Sequence, residues 1–239
     1  MKSKQGEIYP KIKIVDLALL YKDTLIIGDL QLGFEEALER RGVLLPRFQL
    51  KDIIERLDKI LSGVKVKRLV VNGDIKHEFG TITDQEWRDA LKFFDYVFEK
   101  LGEGGELVLV KGNHDMVLDP IAKKRNIKVV EAYQCDDITI VHGHKITLIP
   151  GKVVVIGHEH PAVSFSERRE EKFRCFLKGQ WKDKVLIVQP SFNMLTAGSD
   201  ILRENHLSPF LKDDIENFEV FVVEDKVRFF GRIKDIRKL

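Results

Sequence analysis

The sequence predicts an α/β protein with two β-sheets and helices outside them, in a single domain spanning residues 1–239. Short runs rich in Val and Ile alternate with amphipathic stretches, as expected for buried strands joined by helices. Apolar residues make up 44% of the chain and charged residues 33%, a composition typical of folded rather than disordered proteins. A length of 239 residues is also sufficient for a well-buried core.

The strands are predicted from short, continuously apolar runs. These cover residues 11–21, 24–30, 68–73, 106–111, 138–142, 153–157, 173–177, 185–189, 218–223 and 227–230. A turn at residues 21–24 is expected to join the first two into a hairpin. The polar stretch 199–214, broken by Pro209, is predicted to be a long surface loop.

Two helices are predicted between the early strands. Apolar residues recur at helical spacing over residues 50–61, and Gly63 follows them. The second helix is predicted over residues 83–101, where Thr83 and Glu86 have the spacing of a capping box. The first half therefore has the order β-β-α-β-α-β.

Several classes of protein are disfavoured by composition. The formal net charge of +2 gives no general case for a nucleic-acid coat, although local basic patches remain open. Two isolated cysteines, Cys135 and Cys175, predict neither a disulfide scaffold nor a zinc knuckle. The first residues lack the apolar region of a secretory signal, and no apolar run is long enough for a membrane span. We therefore expect a cytoplasmic protein that does not bind membranes.

Five predicted apolar strands are each followed by residues of the types that bind metals. The residues are Asp29 and Gln31; Asp74 and His77; Asn113, His114 and Asp115; His142 and His144; and His158 and His160. Six of the seven histidines belong to this set, and histidine is the commonest metal ligand. Because ligands bind beyond the carboxyl ends of strands in α/β sheets, we expect one shared pocket.

Each of these residues also has an ordinary explanation. Asp29 and Asp74 are typical of turns, and the Asn113-His114-Asp115 sequence is a plausible helix cap. A single histidine such as His142 is more often a hydrogen-bonded core or surface residue. These explanations hold one at a time, but they do not explain why five strands end alike. The pattern therefore favours a metal site.

Two metal ions fit this pattern better than one. A carboxylate can bridge two cations that lie about 3.5–4 Å apart. Asp74 is the expected bridge, since Asp29 is the only other carboxylate near an early strand end. The mixed nitrogen and oxygen ligands favour manganese, iron or zinc over calcium.

The ordered motifs resemble those of the calcineurin-like metallophosphoesterases. That family carries D-x-H, G-D-x-x-H or G-D-x-x-D, G-N-H-D or G-N-H-E, H, and G-H-x-H. The corresponding residues here are Asp29 to Gln31, Gly73 to His77, Gly112 to Asp115, His142, and Gly157 to His160. The resemblance covers residues 24–160. It implies a four-layer α/β/β/α sandwich of two mixed β-sheets flanked by helices, and a metal-dependent phosphoesterase.

The resemblance also implies roles for individual residues. Asp29, Gln31, Asp74 and His160 would hold the first ion, and Asp74, Asn113, His142 and His158 the second. His114 would stabilise the phosphate or protonate the leaving oxygen, with Asp115 orienting its ring. His77 resembles the histidine that nuclease members place near the scissile phosphate. His144, which has no assigned role in the family pattern, and Asn193 are further candidates for contacting substrate. The Gly73 to His77 motif and residues 190–198 resemble an archaeal subgroup related to the SbcD-type DNA-repair nucleases.

Gln31 departs from the family pattern, which has histidine at this position. A glutamine carbonyl is a neutral, harder and weaker ligand than imidazole. We therefore expect a looser first site that favours manganese or magnesium. Manganese is the expected metal overall, with iron, zinc or magnesium as alternatives.

The expected activity is hydrolysis of phosphodiester bonds, with a nucleic acid as one candidate substrate. The basic residues Arg40, Arg41, Arg47 and Lys76 are candidates for contacting a nucleic-acid backbone. A small-molecule phosphodiesterase acting on cyclic nucleotides is the alternative enzyme. A non-catalytic scaffold with the same fold is the alternative from another class. Protein partners are left open.

Overall fold

A computed structural model describes residues 6–165 and 171–238 of the chain. Within these residues the strands form two mixed sheets. The first has seven strands in chain order, which are β1 (Glu7–Tyr9), β2 (Ile12–Val15), β3 (Ala18–Tyr21), β4 (Thr24–Gly28), β5 (Arg68–Asn72), β6 (Glu106–Val110) and β7 (Lys128–Val130). Pairings are antiparallel up to β4 and parallel from β4 to β7. The carboxyl ends of β4, β5 and β6 therefore meet at one edge.

The second sheet has nine strands in the part of the chain that the structure describes. They are β8 (Tyr133–Cys135), β9 (Ile138–Ile140), β10 (Val153–Ile156), β11 (Pro161–Val163), β12 (Phe173–Trp181), β13 (Lys184–Val188), β14 (Ser199–Asp200), β15 (Glu219–Val223) and β16 (Val227–Arg232). The order along the main path is β14-β11-β12-β13-β10-β9-β8, and β15 pairs with β12 and β16. Since β9, β10 and β13 run parallel, their carboxyl ends also share an edge.

The described residues also form helices. They are α1 (Phe34–Arg40), α2 (Gln49–Gly63), α3 (Asp84–Leu101), α4 (Asp119–Lys123), α5 (Ile233–Ile236) and a 3-10 turn at Pro209–Leu211. The buried stripes of α2 and α3, such as Leu57 and Phe94, share a core with the first sheet. Ile233 of α5 and Phe210 of the 3-10 turn pack on the second sheet.

Strand β10 shows how the layers are built. Val153 and Val155 belong to the core shared with the first sheet, whereas Val154 and Ile156 belong to the core beneath α5. Successive side chains on a strand point to opposite faces, so a strand between two layers must be apolar at every position. The arrangement confirms the predicted sandwich of two mixed sheets flanked by helices.

Most predicted elements are confirmed, with shifted boundaries. The predicted strand at residues 11–21 is in fact two strands, because Asp16 adopts a left-handed φ of 53° and turns the chain. The hairpin turn at residues 21–24 is confirmed by the pairing of Tyr21 with Thr24. The capping box of α3 is also confirmed, with both the Thr83 and the Glu86 hydrogen bonds present.

Short elements escaped prediction. Strands β1, β7, β8, β11 and β14 have two or three residues each, which is too few for a periodic pattern to appear. The predicted loop at 199–214 is largely irregular but contains β14 and the 3-10 turn. Within the described ranges, no helix has both the length and the apolar character needed to cross a bilayer.

Candidate metal centre

The predicted ligands come together where the two sheets meet. Asp29, Asp74 and Asn113 follow three neighbouring strands of the first sheet, and His142 and His158 follow two neighbouring strands of the second. Hydrogen bonds cross between the layers at this point. The His158 amide lies 3.2 Å from Asp29 Oδ2, and His142 Nε2 lies 3.0 Å from Asn113 Oδ1. Loops from both sheets therefore form one pocket.

Asp74, His142 and His158 form a compact cluster. One candidate ligand atom from each lies within 4.8 Å of the others. His142 Nε2 is 3.4 Å from Asp74 Oδ2, and His142 Nδ1 is 3.5 Å from Asp29 Oδ1. His160 Nε2 is 3.2 Å from the same Asp29 oxygen. The two buried carboxylates thus lie on either side of His142, and each faces imidazole nitrogens.

The backbone is strained at the candidate ligands. Asp29, Gln31, Asp74, His158 and His160 have left-handed φ angles of 55°, 47°, 43°, 62° and 49°. Such conformations cost a non-glycine residue about 1–3 kcal/mol each and cluster at functional sites. Hydrogen bonds between the loops hold this geometry, including one of 2.7 Å from the Gln31 amide to the Asp74 carbonyl.

Glycines leave room for the ligands at two positions. A Cβ atom on Gly112 would lie 2.0 Å from Asp74 Oδ1, and one on Gly73 would lie 2.0 Å from His142 Nδ1. Real Cβ contacts are not this short, so any side chain here would displace the ligand. Gly73 also has a φ of 79°, which disfavours other residues.

The pocket favours positive charge. Burial opposes ionisation of Asp74, but His142 and His114 hold the pKa of this carboxyl well below its ordinary value. Burial opposes protonation of His142, yet Asp74 and Asp29 raise the pKa of its ring to about 9. For His158, burial and the neighbouring His142 lower the pKa to about 4. The two carboxylates therefore favour a positive charge among these imidazoles, and a divalent ion bound to the histidines would supply that charge in place of a proton.

These residues fit divalent metal ions. Two carboxylates, imidazole nitrogens and the Asn113 amide oxygen form a mixed nitrogen and oxygen set, which suits manganese, iron or zinc. His142 Nδ1 and His160 Nε2 are buried and lack a hydrogen bond among the described residues, although each faces Asp29. Buried polar atoms of this kind require a partner, which a metal ion would supply.

The ring of His114 is oriented by the backbone. Its Nδ1 contacts the His77 carbonyl, which can only accept, so this nitrogen carries the proton. Nε2 then faces Asp74, at 3.8 Å from Oδ2. Asp115 does not orient the ring as predicted. Its buried carboxylate instead accepts hydrogen bonds from the amides of Ile75 and Gly112, at 3.0 and 2.9 Å.

Asp115 therefore connects the loop after β5 with the loop after β6. Burial, and then the charge of Asp74, raise the pKa of Asp115 to about 7. The predicted contact between Asp115 and the His114 ring is not found. The order of residues in a motif does not show which hydrogen-bond donors lie closest to a carboxylate in space. Asp115 acts on His114 only through the backbone that it holds.

The candidate substrate residues have different surroundings. The His77 and His144 side chains are half-buried, and His144 lines a groove of about 390 Å³ with Lys111 and Lys145. Burial and the nearby His142 lower the pKa of His144 to about 4. Asn193 is fully buried, and its Oδ1 accepts a hydrogen bond from the Leu195 amide.

One predicted nucleic-acid contact is contradicted. Lys76 is fully buried, and its ammonium bonds the Glu78 carbonyl, so it is not available to a phosphate backbone. The sequence could not show this, since a lysine between motif residues is ordinarily solvated. Arg40, Arg41 and Arg47 are exposed as expected.

Two supporting residues were not predicted. The Ser191 hydroxyl donates a 2.8 Å hydrogen bond to the Asp29 carbonyl, and so holds the loop that carries this ligand. Glu86 is fully buried and binds the loop that follows Asp74. The capping-box spacing had identified Glu86, but only as part of a helix end.

Comparison with known proteins agrees with this fold. The chain matches the family described as Calcineurin-like phosphoesterase over residues 23–214, and it therefore belongs to that family. Members are dinuclear metal-dependent hydrolases of phosphoesters, in keeping with the cluster around Asp74.

Comparison with solved structures gives two further similarities. One is to a nuclease from Pseudomonas putida, named MPE, with a TM-score of 0.61 and 18% identity over 92% of this chain and 94% of that one. Another is to a protein of unknown function from Aquifex aeolicus, with a TM-score of 0.36 and 15% identity over 61% of this chain and 81% of that one. No curated protein sequence matches the chain.

Proposed function

We propose that this protein hydrolyses phosphodiester bonds in nucleic acids with two divalent metal ions, manganese being the expected metal. The observation that carries the proposal is the convergence of Asp29, Asp74, His142, His158 and His160 at the joined ends of two sheets. We further propose that the chain belongs to the archaeal subgroup related to the SbcD-type nucleases, and that residues 1–239 form one domain.

The ligands would divide between two ions, with Asp74 assigned to both. The second ion would be held by Asp74, Asn113, His142 and His158. Three of these residues form the compact cluster, and Asn113 Oδ1 lies 3.0 Å from His142 Nε2. The first ion would be held by Asp74, Asp29, Gln31 and His160, which the 3.2 Å approach of His160 to Asp29 supports.

The chain's own residues would position and protonate the substrate. Bound divalent ions supply positive charge for the phosphoryl oxygens and lower the pKa of a water nucleophile. His114 directs Nε2 into the pocket because Nδ1 donates to the His77 carbonyl. A protonated Nε2 can then stabilise the phosphate or give its proton to the leaving oxygen. Asp115 holds the loop after β5 to the loop after β6. His77, His144 and Asn193 remain candidates for contacting substrate.

Support for a nucleic-acid substrate comes from the surface beside the pocket. Arg40, Arg41 and Arg47 are exposed on α1 and the segment after it. The fold is shared with a nuclease, although at 18% identity that similarity concerns the fold alone. Arg40 and Arg47 pair with Glu36 and Glu39, both at 2.8 Å, but exposed ion pairs of this kind are weak and exchange readily for phosphate.

An assay panel tests the proposed function. With manganese, we expect hydrolysis of bis-p-nitrophenyl phosphate, faster cleavage of DNA or RNA than of cyclic nucleotides, and loss of all activity with a chelator. Cleavage confined to cyclic nucleotides would instead support the small-molecule phosphodiesterase. A purified protein that binds no metal and cleaves none of these compounds would be a scaffold.

Replacing Gln31 by histidine tests the first metal site. Histidine tolerates the left-handed φ of 47° at this position and offers a stronger ligand than an amide oxygen. We expect Gln31→His to tighten the weaker manganese site by about tenfold or more, since even residues that only support ligands change metal affinity by that factor. Isothermal titration calorimetry measures both sites.

Gln180→His is the matched control, because Gln180 is exposed on β12. This variant gains a histidine outside the pocket and should bind manganese like the wild type. Two sites of equal affinity in the wild type, unchanged in Gln31→His, would contradict the proposed role of Gln31.

A further inference from the structure

We propose that Phe79 forms a stacking subsite for an unpaired nucleobase beside the metal centre; this inference rests on the proposed phosphodiesterase function. Phe79 is 58% exposed even though its ring lies against His114. Its ring centroid lies 3.7 Å from that of His114, with the planes tilted by 33°. One face of Phe79 is thus covered by His114 and the other is open.

Phe79 is the outermost member of a row of rings. His114 stacks on His77 with centroids 5.6 Å apart, and Phe34 meets His77 edge-on at 4.7 Å. The row leads from α1, past the candidate catalytic histidine, to the open face of Phe79. A planar base that binds there would extend the row, with its phosphate on the side of His114.

The loop that carries Phe79 is held in place by a buried carboxylate. Glu86 Oε1 accepts hydrogen bonds from the amides of His77 and Glu78, at 2.9 and 2.6 Å, and Oε2 accepts from the Thr83 amide at 2.7 Å. The Phe79 carbonyl also accepts a 2.8 Å hydrogen bond from the Thr81 amide. The ring is therefore presented in advance of binding, which reduces the entropy lost when a ligand binds.

Positive charge lies next to the same loop. Arg40 is 3.7 Å from the Glu78 carboxylate, which brings the basic end of α1 beside Phe79, and the exposed Arg41 follows. An aromatic face next to cations is how proteins bind single-stranded nucleic acids, since bases stack and phosphates pair with charge. In a duplex both faces of each base are already stacked. The subsite therefore selects unpaired nucleotides.

Chromogenic diesters with and without a base test this subsite. Thymidine 5′-(p-nitrophenyl phosphate) and thymidine 3′-(p-nitrophenyl phosphate) carry a base, whereas methyl p-nitrophenyl phosphate does not. Since base stacking on an aromatic ring contributes about 1–3 kcal/mol, we expect kcat/KM at least about fivefold higher for one of the thymidine esters. Phe79→Ala should lower kcat/KM for that thymidine ester at least about fivefold more than for the methyl ester, whose loss measures any effect of the variant on the neighbouring His114.

Two further variants at position 79 distinguish aromatic stacking on a base from simple apolar packing against it. Phe79→Trp should keep the preference, whereas Phe79→Leu, which is apolar but not aromatic, should lose it. Phe229→Ala is the matched control, because Phe229 is 59% exposed on β16, outside the metal pocket. A wild type without base preference, or Phe79→Ala with either an unchanged preference or an equal loss on all three esters, would overturn the subsite.

A binding measurement distinguishes failure of the subsite from failure of the proposed function. Fluorescein-labelled oligothymidylate is titrated into the metal-free protein, and we expect Phe79→Ala to weaken binding by about tenfold. If no diester is hydrolysed but binding still depends on Phe79, the proposed function fails and the subsite stands. If hydrolysis is found and neither binding nor base preference depends on Phe79, the subsite alone fails.

Discussion

Asp74→Asn is expected to abolish hydrolysis of phosphodiesters and to remove bound metal. Asp74 is the one residue assigned to both ions, and it is 2% exposed. Loss of a residue that merely supports a ligand reduces metal affinity or activity by about 10- to 100-fold, so loss of the shared carboxylate should cost more than about a hundredfold. Activity on bis-p-nitrophenyl phosphate and metal content after dialysis measure the two effects.

Asparagine is chosen because it preserves the local hydrogen bond. The amide oxygen of the variant can still accept from the His114 backbone amide, which lies 3.1 Å from Asp74 Oδ1. The fold should therefore survive, and thermal unfolding followed by circular dichroism checks this. Asp183→Asn, in the exposed turn between β12 and β13, is the control. A folded Asp74→Asn protein with wild-type metal content and turnover would refute the shared site.

His114→Ala is expected to reduce turnover strongly while metal content stays intact. His114 belongs to neither proposed ligand set, and general acid catalysis contributes about 10²- to 10⁴-fold. The loss should be largest when the leaving group requires a proton. We therefore expect a greater decrease on a dinucleotide, which releases a sugar alkoxide, than on bis-p-nitrophenyl phosphate, which releases a stable phenolate.

The pattern of loss decides between the two roles of His114. An equal decrease on both substrates would assign the ring to stabilising the phosphate. A decrease confined to the dinucleotide would assign it to protonating the leaving oxygen. If His114→Ala retains full turnover on both substrates, the residue has no catalytic role.

The convergence of the candidate ligands could be predicted from sequence because the rule behind it is local. Asp29, Asp74 and His158 each follow an apolar run, and strand ends in α/β sheets converge irrespective of the details of packing. No knowledge of strand order was needed. The same rule identified Asn113 and His142, which lie on opposite sheets and still meet at 3.0 Å.

The supporting contacts could not be predicted, since they depend on which loops lie next to each other. The carbonyl partner of His114 comes from the loop that ends the Gly73 to His77 motif, 37 residues earlier in the chain. Lys76 is buried because the same loop brings the Glu78 carbonyl to its ammonium group, a contact that the sequence does not show. Phe79 carried no signal at all, because a single aromatic residue between motifs is ordinarily part of a core.

The division of ligands between the sheets has a consequence for the whole molecule. Each proposed ion takes ligands from both layers: Asp29 and His160 for one, Asn113 and His142 for the other. Metal would then act as a crosslink between the two halves of the sandwich, adding its binding energy to folding. Slight sliding of one layer over the other would change the spacing of the ligands, even if every ligand stayed in place on its own strand.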